Sequence, residues 1–244
     1  MDRLIRWVKT NPILTILIAL SAILLTAVIA LICLLCAPKK SPAATALQQY
    51  YDNKCFSYAV QNTNLAKKQI VFVGDSITDL YVLDDHYADL PQAVYNRGIG
   101  GDTTAGVLAR LQVSVLDLQP DVVVLMIGTN DVNGGVAEET ILQNYADILD
   151  AITSGVPGVQ IYCMSVIPQN KQLEIDVDAS MQRIRQLNPK IKALAEKKGA
   201  VYLDLFPLLL DATGYLRTDC SDDGIHLNFT GLQIWTALLK PYLQ

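Results

Sequence analysis

The chain has 244 residues, a net charge of -5 and 51% hydrophobic residues, with 19 Lys and Arg against 24 Asp and Glu. A mildly acidic chain without basic clusters argues against nucleic acid as a partner. Two histidines and no CxxC pair after residue 36 give no support for a structural zinc site, and neither a metal nor an organic cofactor is expected.

The apolar excess lies at the N-terminus. Ile13 to Leu35 carries no charged residue. As a helix it would be about 35 Å long, enough to cross a hydrocarbon core of about 30 Å. A signal-peptide apolar region runs to about 7 to 15 residues. Although Ala44-Thr45-Ala46 offers small residues for cleavage, residues 13–36 are therefore expected to form an uncleaved transmembrane anchor after a short flank, 1–12. Arg3, Arg6 and Lys9 precede it, and Lys39 and Lys40 follow. The positive-inside rule then favours a single-pass protein of the cell membrane with its following domain outside. Ile32 and Leu35 before Cys33 and Cys36 speak against lipidation there. Residues 37–46, with Pro38 and Pro42, read as a spacer.

Residues 47–244 have the size of one domain. A helix is expected from Leu47 to about Ala66, with Tyr50, Tyr51, Phe56 and Tyr58 packing on a sheet and Lys67 and Lys68 closing it. Strand-like apolar runs follow at 70–73, 93–95, 121–127, 159–167 and 200–205, alternating with helix-like stretches at 79–90, 103–118, 137–154, 178–198 and 230–243. This alternation predicts an α/β fold with a five-stranded parallel sheet covered on both faces. Cys163 falls in a strand, while Cys55 and Cys220 are expected to reach solvent, where a disulfide between them is open.

Chemistry-bearing residues fall after strands. The run Ile70 to Val73 ends in Gly74-Asp75-Ser76, a turn that throws the Ser76 hydroxyl clear at a carboxyl end of the sheet, where open α/β folds bind ligands. Asn96-Arg97-Gly98-Ile99-Gly100-Gly101-Asp102-Thr103 follows the second strand, and its glycines let a ligand approach the backbone. A dinucleotide loop is disfavoured, because the third glycine position of GxGxxG holds Thr103 and the turn follows the second strand. Gly128-Thr129-Asn130-Asp131 follows the third strand, so the Asn130 carboxamide either reaches the crevice of Ser76 or bonds within its turn.

In Asp222-Asp223-Gly224-Ile225-His226, one turn brings Asp223 to His226, so the acid can accept from Nδ1–H while Nε2 faces a nucleophile. The other candidate base, His86 in Asp84-Asp85-His86-Tyr87, has no such partner and reads as an ordinary exposed histidine.

GDSIT, NRGIGGDT, GTND and DGIH, in this order, resemble the four sequence blocks of the SGNH hydrolases, the GDSL esterase and lipase superfamily. The resemblance runs from about Ile70 to the C-terminus. It implies the three-layer, flavodoxin-like SGNH fold, with Ser76 as nucleophile, His226 as base and Asp223 as its orienting acid. It also implies an oxyanion hole formed by the N–H groups of Ser76 and Gly101 and the side chain of Asn130. The GxSxG elbow of α/β-hydrolases is absent. NRGIGGDTTAGVLARL is similar to the branch of platelet-activating-factor acetylhydrolase-like proteins, which implies short acyl groups. The expected activity is hydrolysis of a small ester, lipid or acylated carbohydrate through an acyl-enzyme. Loops 80–91 and 168–178 are expected to shape the pocket. Acyl transfer to cell-surface carbohydrate and a non-catalytic binding module on the same fold are the alternatives.

Overall fold

The computed structural model describes residues 42–171 and 177–244, together with residues 11, 13, 16, 17, 20, 21 and 23–28. Two compact units divide between Ala46 and Leu47. Much of the anchor expected over 13–36, and most of its flank and spacer, lies outside the described residues. Those described between 13 and 28 are helical, with exposed apolar side chains such as Ile16, Leu20 and Leu24. Among the described residues, no helix is long and apolar enough to cross a membrane.

The second unit is built on five parallel strands: β1 (Ile70–Gly74), β2 (Val94–Gly98), β3 (Val122–Met126), β4 (Gln160–Met164) and β5 (Val201–Leu203). Their order is β2-β1-β3-β4-β5. This is the flavodoxin-like order, whose ligand crevice opens between the carboxyl ends of β1 and β3. β1 and β3 run in register from Ile70 opposite Val122 to Gly74 opposite Met126.

Burial on both faces explains why the central strands β1, β3 and β4 read as apolar runs. Val71 and Val73 point into one core with Val123, Leu125 and Cys163. Ile70 and Phe72 point into the other with Val124, Met126 and Met164. The first core is closed by α7 (Glu138–Gly155) and α8 (Asp178–Lys197), each presenting a buried stripe, Ile141, Tyr145, Ile148 and Ile152 on α7 and Met181, Ile184 and Ile191 on α8. The second is closed by α9 (Phe229–Leu239), whose Trp235 is fully buried against Phe72 and Tyr81.

Several expected helices are shorter or broken, each for a local reason. Residues 79–90 hold no single helix. A first turn, α2 (Ser76–Asp79), begins at the serine itself, and α3 (Asp84–Tyr87) follows separately. Between them the Asn96 carboxamide donates to the carbonyls of Thr78 and Tyr81, at 2.6 and 2.9 Å, competing for acceptors that a continuing helix would use. Residues 103–118 form α4 (Thr104–Ala109), α5 (Leu111–Ser114) and a 3-10 turn. The first break falls at Arg110, whose side chain turns inward. α6 (Thr129–Asn133) is a further short helix after β3. The N-terminal helix of the unit, α1 (Pro42–Asn62), ends before Lys67 and Lys68. On it Tyr58 is buried, but Phe56 is 73% exposed rather than packed. Cys220 is buried, not solvent-facing, and Cys55, Cys163 and Cys220 are all free thiols.

Candidate active site

β1 delivers Ser76. Gly74 ends the strand with no room for a side chain, since a Cβ there would lie 2.1 Å from the Met126 carbonyl oxygen. Asp75 caps the following turn by accepting from Ile77 N–H at 3.0 Å, and Ser76 becomes the first residue of α2. Across the crevice, the turn before α9 carries the acid and the imidazole. Asp223 Oδ1 accepts from the backbone N–H of Ile225 and His226 at 2.9 and 2.7 Å, while Oδ2 meets His226 Nδ1 at 2.5 Å. His226 Nε2 lies 2.8 Å from Ser76 Oγ. Partial burial pushes the Asp223 carboxyl up, but the imidazole and those two N–H groups outweigh it and hold it at about 2. An ionised acid therefore faces Nδ1. It favours the Nδ1–H tautomer, which leaves Nε2 free to accept from the serine.

The loop after β2 brings Gly101 to the same crevice. Its φ of +78° suits glycine, and a Cβ would meet Leu47 Cδ1 at 3.1 Å. Among the described residues, the backbone N–H groups of Ser76 and Gly101 donate to no other group. Asn130, on α6 after β3, turns its carboxamide toward this loop and donates to the Asp102 carbonyl at 2.8 Å. That bond uses one of its two N–H hydrogens and leaves the other available. The structure thus brings Ser76, His226 and Asp223 into hydrogen-bond sequence and ties Asn130 to the residue after Gly101. The site's composition suits acyl chemistry: an activated hydroxyl, an oriented base and N–H donors on the loops around them.

The sequence profile of the GDSL-like Lipase/Acylhydrolase family matches residues 72–234, about two thirds of the chain. The chain belongs to this family. Human platelet-activating factor acetylhydrolase IB subunit alpha2 is 30% identical over 181 residues, covering 70% of this chain and 73% of that protein. Among solved structures, a Streptococcus pneumoniae protein described as a platelet activating factor is 27% identical, with a TM-score of 0.76 over 82% of this chain and 95% of that one. A GDSL-like lipase from Bacteroides thetaiotaomicron is also 27% identical, with a TM-score of 0.67 over 79% and 98%. The protein is a GDSL-type acylhydrolase on an SGNH-like α/β fold.

Four acidic residues around this acylhydrolase site escaped the sequence reading. Asp75 is fully buried beside Ser76, and burial pushes its carboxyl up to about 7 against the pull of the Ile77 N–H. Asp102 accepts from buried Arg110 Nε at 2.7 Å, and Arg110 also donates to the carbonyls of Arg97 and Gly74 at 2.8 and 2.9 Å. One guanidinium thereby joins the ends of β1 and β2 to the glycine loop. Asp131 holds the far side of that loop by accepting from Thr104 N–H and Oγ1–H at 2.9 and 2.6 Å. Asp79, at the end of α2, accepts from Gly100 N–H at 3.0 Å.

His86 departs from the exposed residue expected. It is half-buried, with Nδ1 2.8 Å from Thr236 Oγ1 and its ring against Tyr81 and Phe229. Burial lowers its pKa. A cleft of about 380 Å³ is walled by Ile225, the chain neighbour of His226, together with Asn133, Gln169, Asn170, Ser180 and Arg183. Among the described residues, no group of His, Cys, Asp and Glu is arranged to hold a metal ion.

Proposed function

We propose that the protein is a membrane-anchored serine esterase that hydrolyses short-chain, acetyl-type esters through an acyl-enzyme. The observation that carries this reading is the sequence of contacts from Asp223 Oδ2 through His226 to Ser76 Oγ, at 2.5 and 2.8 Å. In the first half-reaction His226 Nε2 takes the hydroxyl proton as Ser76 Oγ attacks the ester carbonyl. The N–H groups of Ser76 and Gly101 and the free hydrogen of the Asn130 carboxamide stabilise the oxyanion. The protonated imidazole, steadied by Asp223, passes its proton to the leaving alcohol. Water then attacks the acyl-serine by the same route and releases the acid.

The acetylhydrolase name of its relatives supports a short acyl group. Turnover of p-nitrophenyl acetate, butyrate and octanoate tests both chemistry and acyl size. The expected result is a rate that falls with chain length and disappears in Ser76→Ala. A rate that rises toward octanoate would overturn the short-acyl assignment.

The tether rests on the uncharged run from Ile13 to Leu35, and its outward orientation on Arg3, Arg6 and Lys9 before that run. The full chain is expected in carbonate-washed membranes, with its hydrolase unit digested by protease added to intact cells. Recovery in the soluble fraction would overturn the anchor, and complete protection would reverse the orientation.

A further inference from the structure

The loop carrying Gly101 is held from two directions, and one of them lies outside the family-matched span. Asp79 closes the turn that begins at Ser76. Its Oδ2 accepts from the backbone N–H of Gly100 at 3.0 Å, so one carboxylate links the nucleophile's turn to the residue before Gly101. That carboxylate is itself gripped by α1. Lys54 Nζ pairs with Asp79 Oδ1 at 2.6 Å, and the Tyr50 hydroxyl donates to Oδ2. The Tyr50 phenol is pushed up to about 12 by burial and by the neighbouring Asp79, so it stays protonated and remains a donor. The same helix also bonds to the elements flanking the loop. Tyr58 donates to the Gly98 carbonyl at the end of β2 at 2.5 Å, and Tyr51 to the Gly106 carbonyl in α4 at 2.9 Å. Leu47 stands against Gly101 itself.

A surface helix needing only anchorage could achieve it through apolar packing. Here it directs two polar side chains at one acid, and the acid directs its oxygen at the oxyanion loop. Asp79 is 13% exposed at its side chain, enough shielding for the Lys54 pair to hold it in a fixed geometry.

Resting on the acyl-enzyme reading, we infer that Tyr50, Lys54 and Asp79 form a positioning network. Through Gly100 it sets the direction of the Gly101 N–H, making α1 a working part of the active site. None of the three touches the reacting atoms. Their effect falls on transition-state stabilisation, because a donor aimed at the oxyanion matters more as charge develops than in substrate binding.

The test is steady-state hydrolysis of p-nitrophenyl acetate by the full chain, comparing wild type with Ser76→Ala, Asp79→Ala, Asp79→Asn and the double variant Tyr50→Phe with Lys54→Met. Asp79→Ala is expected to lower kcat about 10- to 100-fold, the cost of a misplaced group near the chemistry, with KM changed less than about threefold. Asp79→Asn keeps an oxygen acceptor for Gly100 N–H and is expected to recover most of that loss. The double variant leaves Asp79 in place without its grip and is expected to fall between. If Asp79→Ala does not fold, the double variant decides alone, because it alters only groups remote from the nucleophile.

Ser76-dependent turnover that is indifferent to all three variants would overturn this inference alone. So would a loss confined to KM, or Asp79→Asn as impaired as Asp79→Ala. Equal turnover in wild type and Ser76→Ala would overturn the serine mechanism, and the network's role with it.

Discussion

Replacing Asp223 by Asn separates the orienting role of this residue from its bulk. In the wild type, Oδ1 accepts two backbone N–H groups while Oδ2 faces His226 Nδ1. A carboxamide must place one oxygen and one NH₂ in those two positions. With its oxygen toward Ile225 and His226 N–H, it keeps both backbone bonds, each worth about 1 kcal/mol, and turns the NH₂ toward Nδ1. The reverse orientation sets NH₂ against two N–H donors and loses both. The first orientation therefore wins, and it makes Nδ1 an acceptor. The imidazole proton is driven to Nε2, toward Ser76 Oγ, where a base needs a lone pair. The turn stays folded, but the tautomer is wrong, and a loss of about 10⁴-fold in kcat follows if this site behaves as other Ser-His-Asp sites do. The assay is p-nitrophenyl acetate hydrolysis by the full chain, with thermal melting as the folding control. A folded variant retaining more than about a tenth of wild-type turnover would refute this account of Asp223.

Asn130→Ala should lower turnover by about 10²- to 10³-fold, and undiminished rates would remove Asn130 from the oxyanion hole. Gly101→Ala forces a side chain into φ +78° against Leu47, so turnover should drop by more than about tenfold. An unchanged kcat would show that the loop does not serve the chemistry. Asp75 titrates near 7 in the folded chain against an ordinary 3.8, so the folded state binds the extra proton in between. Its contribution to stability is present below about pH 3.8 and is lost as the pH rises through 7. Asp75→Asn should therefore gain on wild type in urea unfolding between pH 4.5 and 8.5, by on the order of 4 kcal/mol at the alkaline end. Parallel stability curves would refute this. Arg110→Met leaves the buried Asp102 carboxylate without its countercharge and takes one donor from the Arg97 and Gly74 carbonyls, and should cost about 3 to 5 kcal/mol in the same measurement. A loss under about 1 kcal/mol would deny Arg110 that bracing role.

The centre of the sheet was legible because β1 and β3 are buried on both faces, so Ile70 to Val73 and Val122 to Met126 appear as plain apolar runs. Ser76 stood out at the end of the first strand, and Asp223 and His226 as an acid and a base one turn apart, while Gly101 and Asn130 were assigned to the site only through the resemblance of the four blocks to the family. What the sequence concealed is non-local. Tyr50 and Lys54 lie 29 and 25 residues from Asp79, and no periodicity connects them. The break at Arg110 was invisible because Arg is a good helix former, and the buried acceptors that draw it inward come from β1, β2 and the glycine loop. Cys220 and Phe56 were misplaced for the same reason. Their exposure depends on which neighbours the tertiary fold supplies, and local hydrophobicity does not report that.

The central claim is that Ser76 carries the acyl group. It is tested most directly by treating the full chain with a fluorophosphonate and locating the adduct by peptide mass spectrometry, with turnover followed in parallel. The account predicts one adduct, on the peptide containing Ser76, forming at the rate at which esterase activity disappears, and no adduct in Ser76→Ala or Asp223→Asn. Esterase activity that survives complete labelling of Ser76, or that tracks an adduct at another residue, would contradict it.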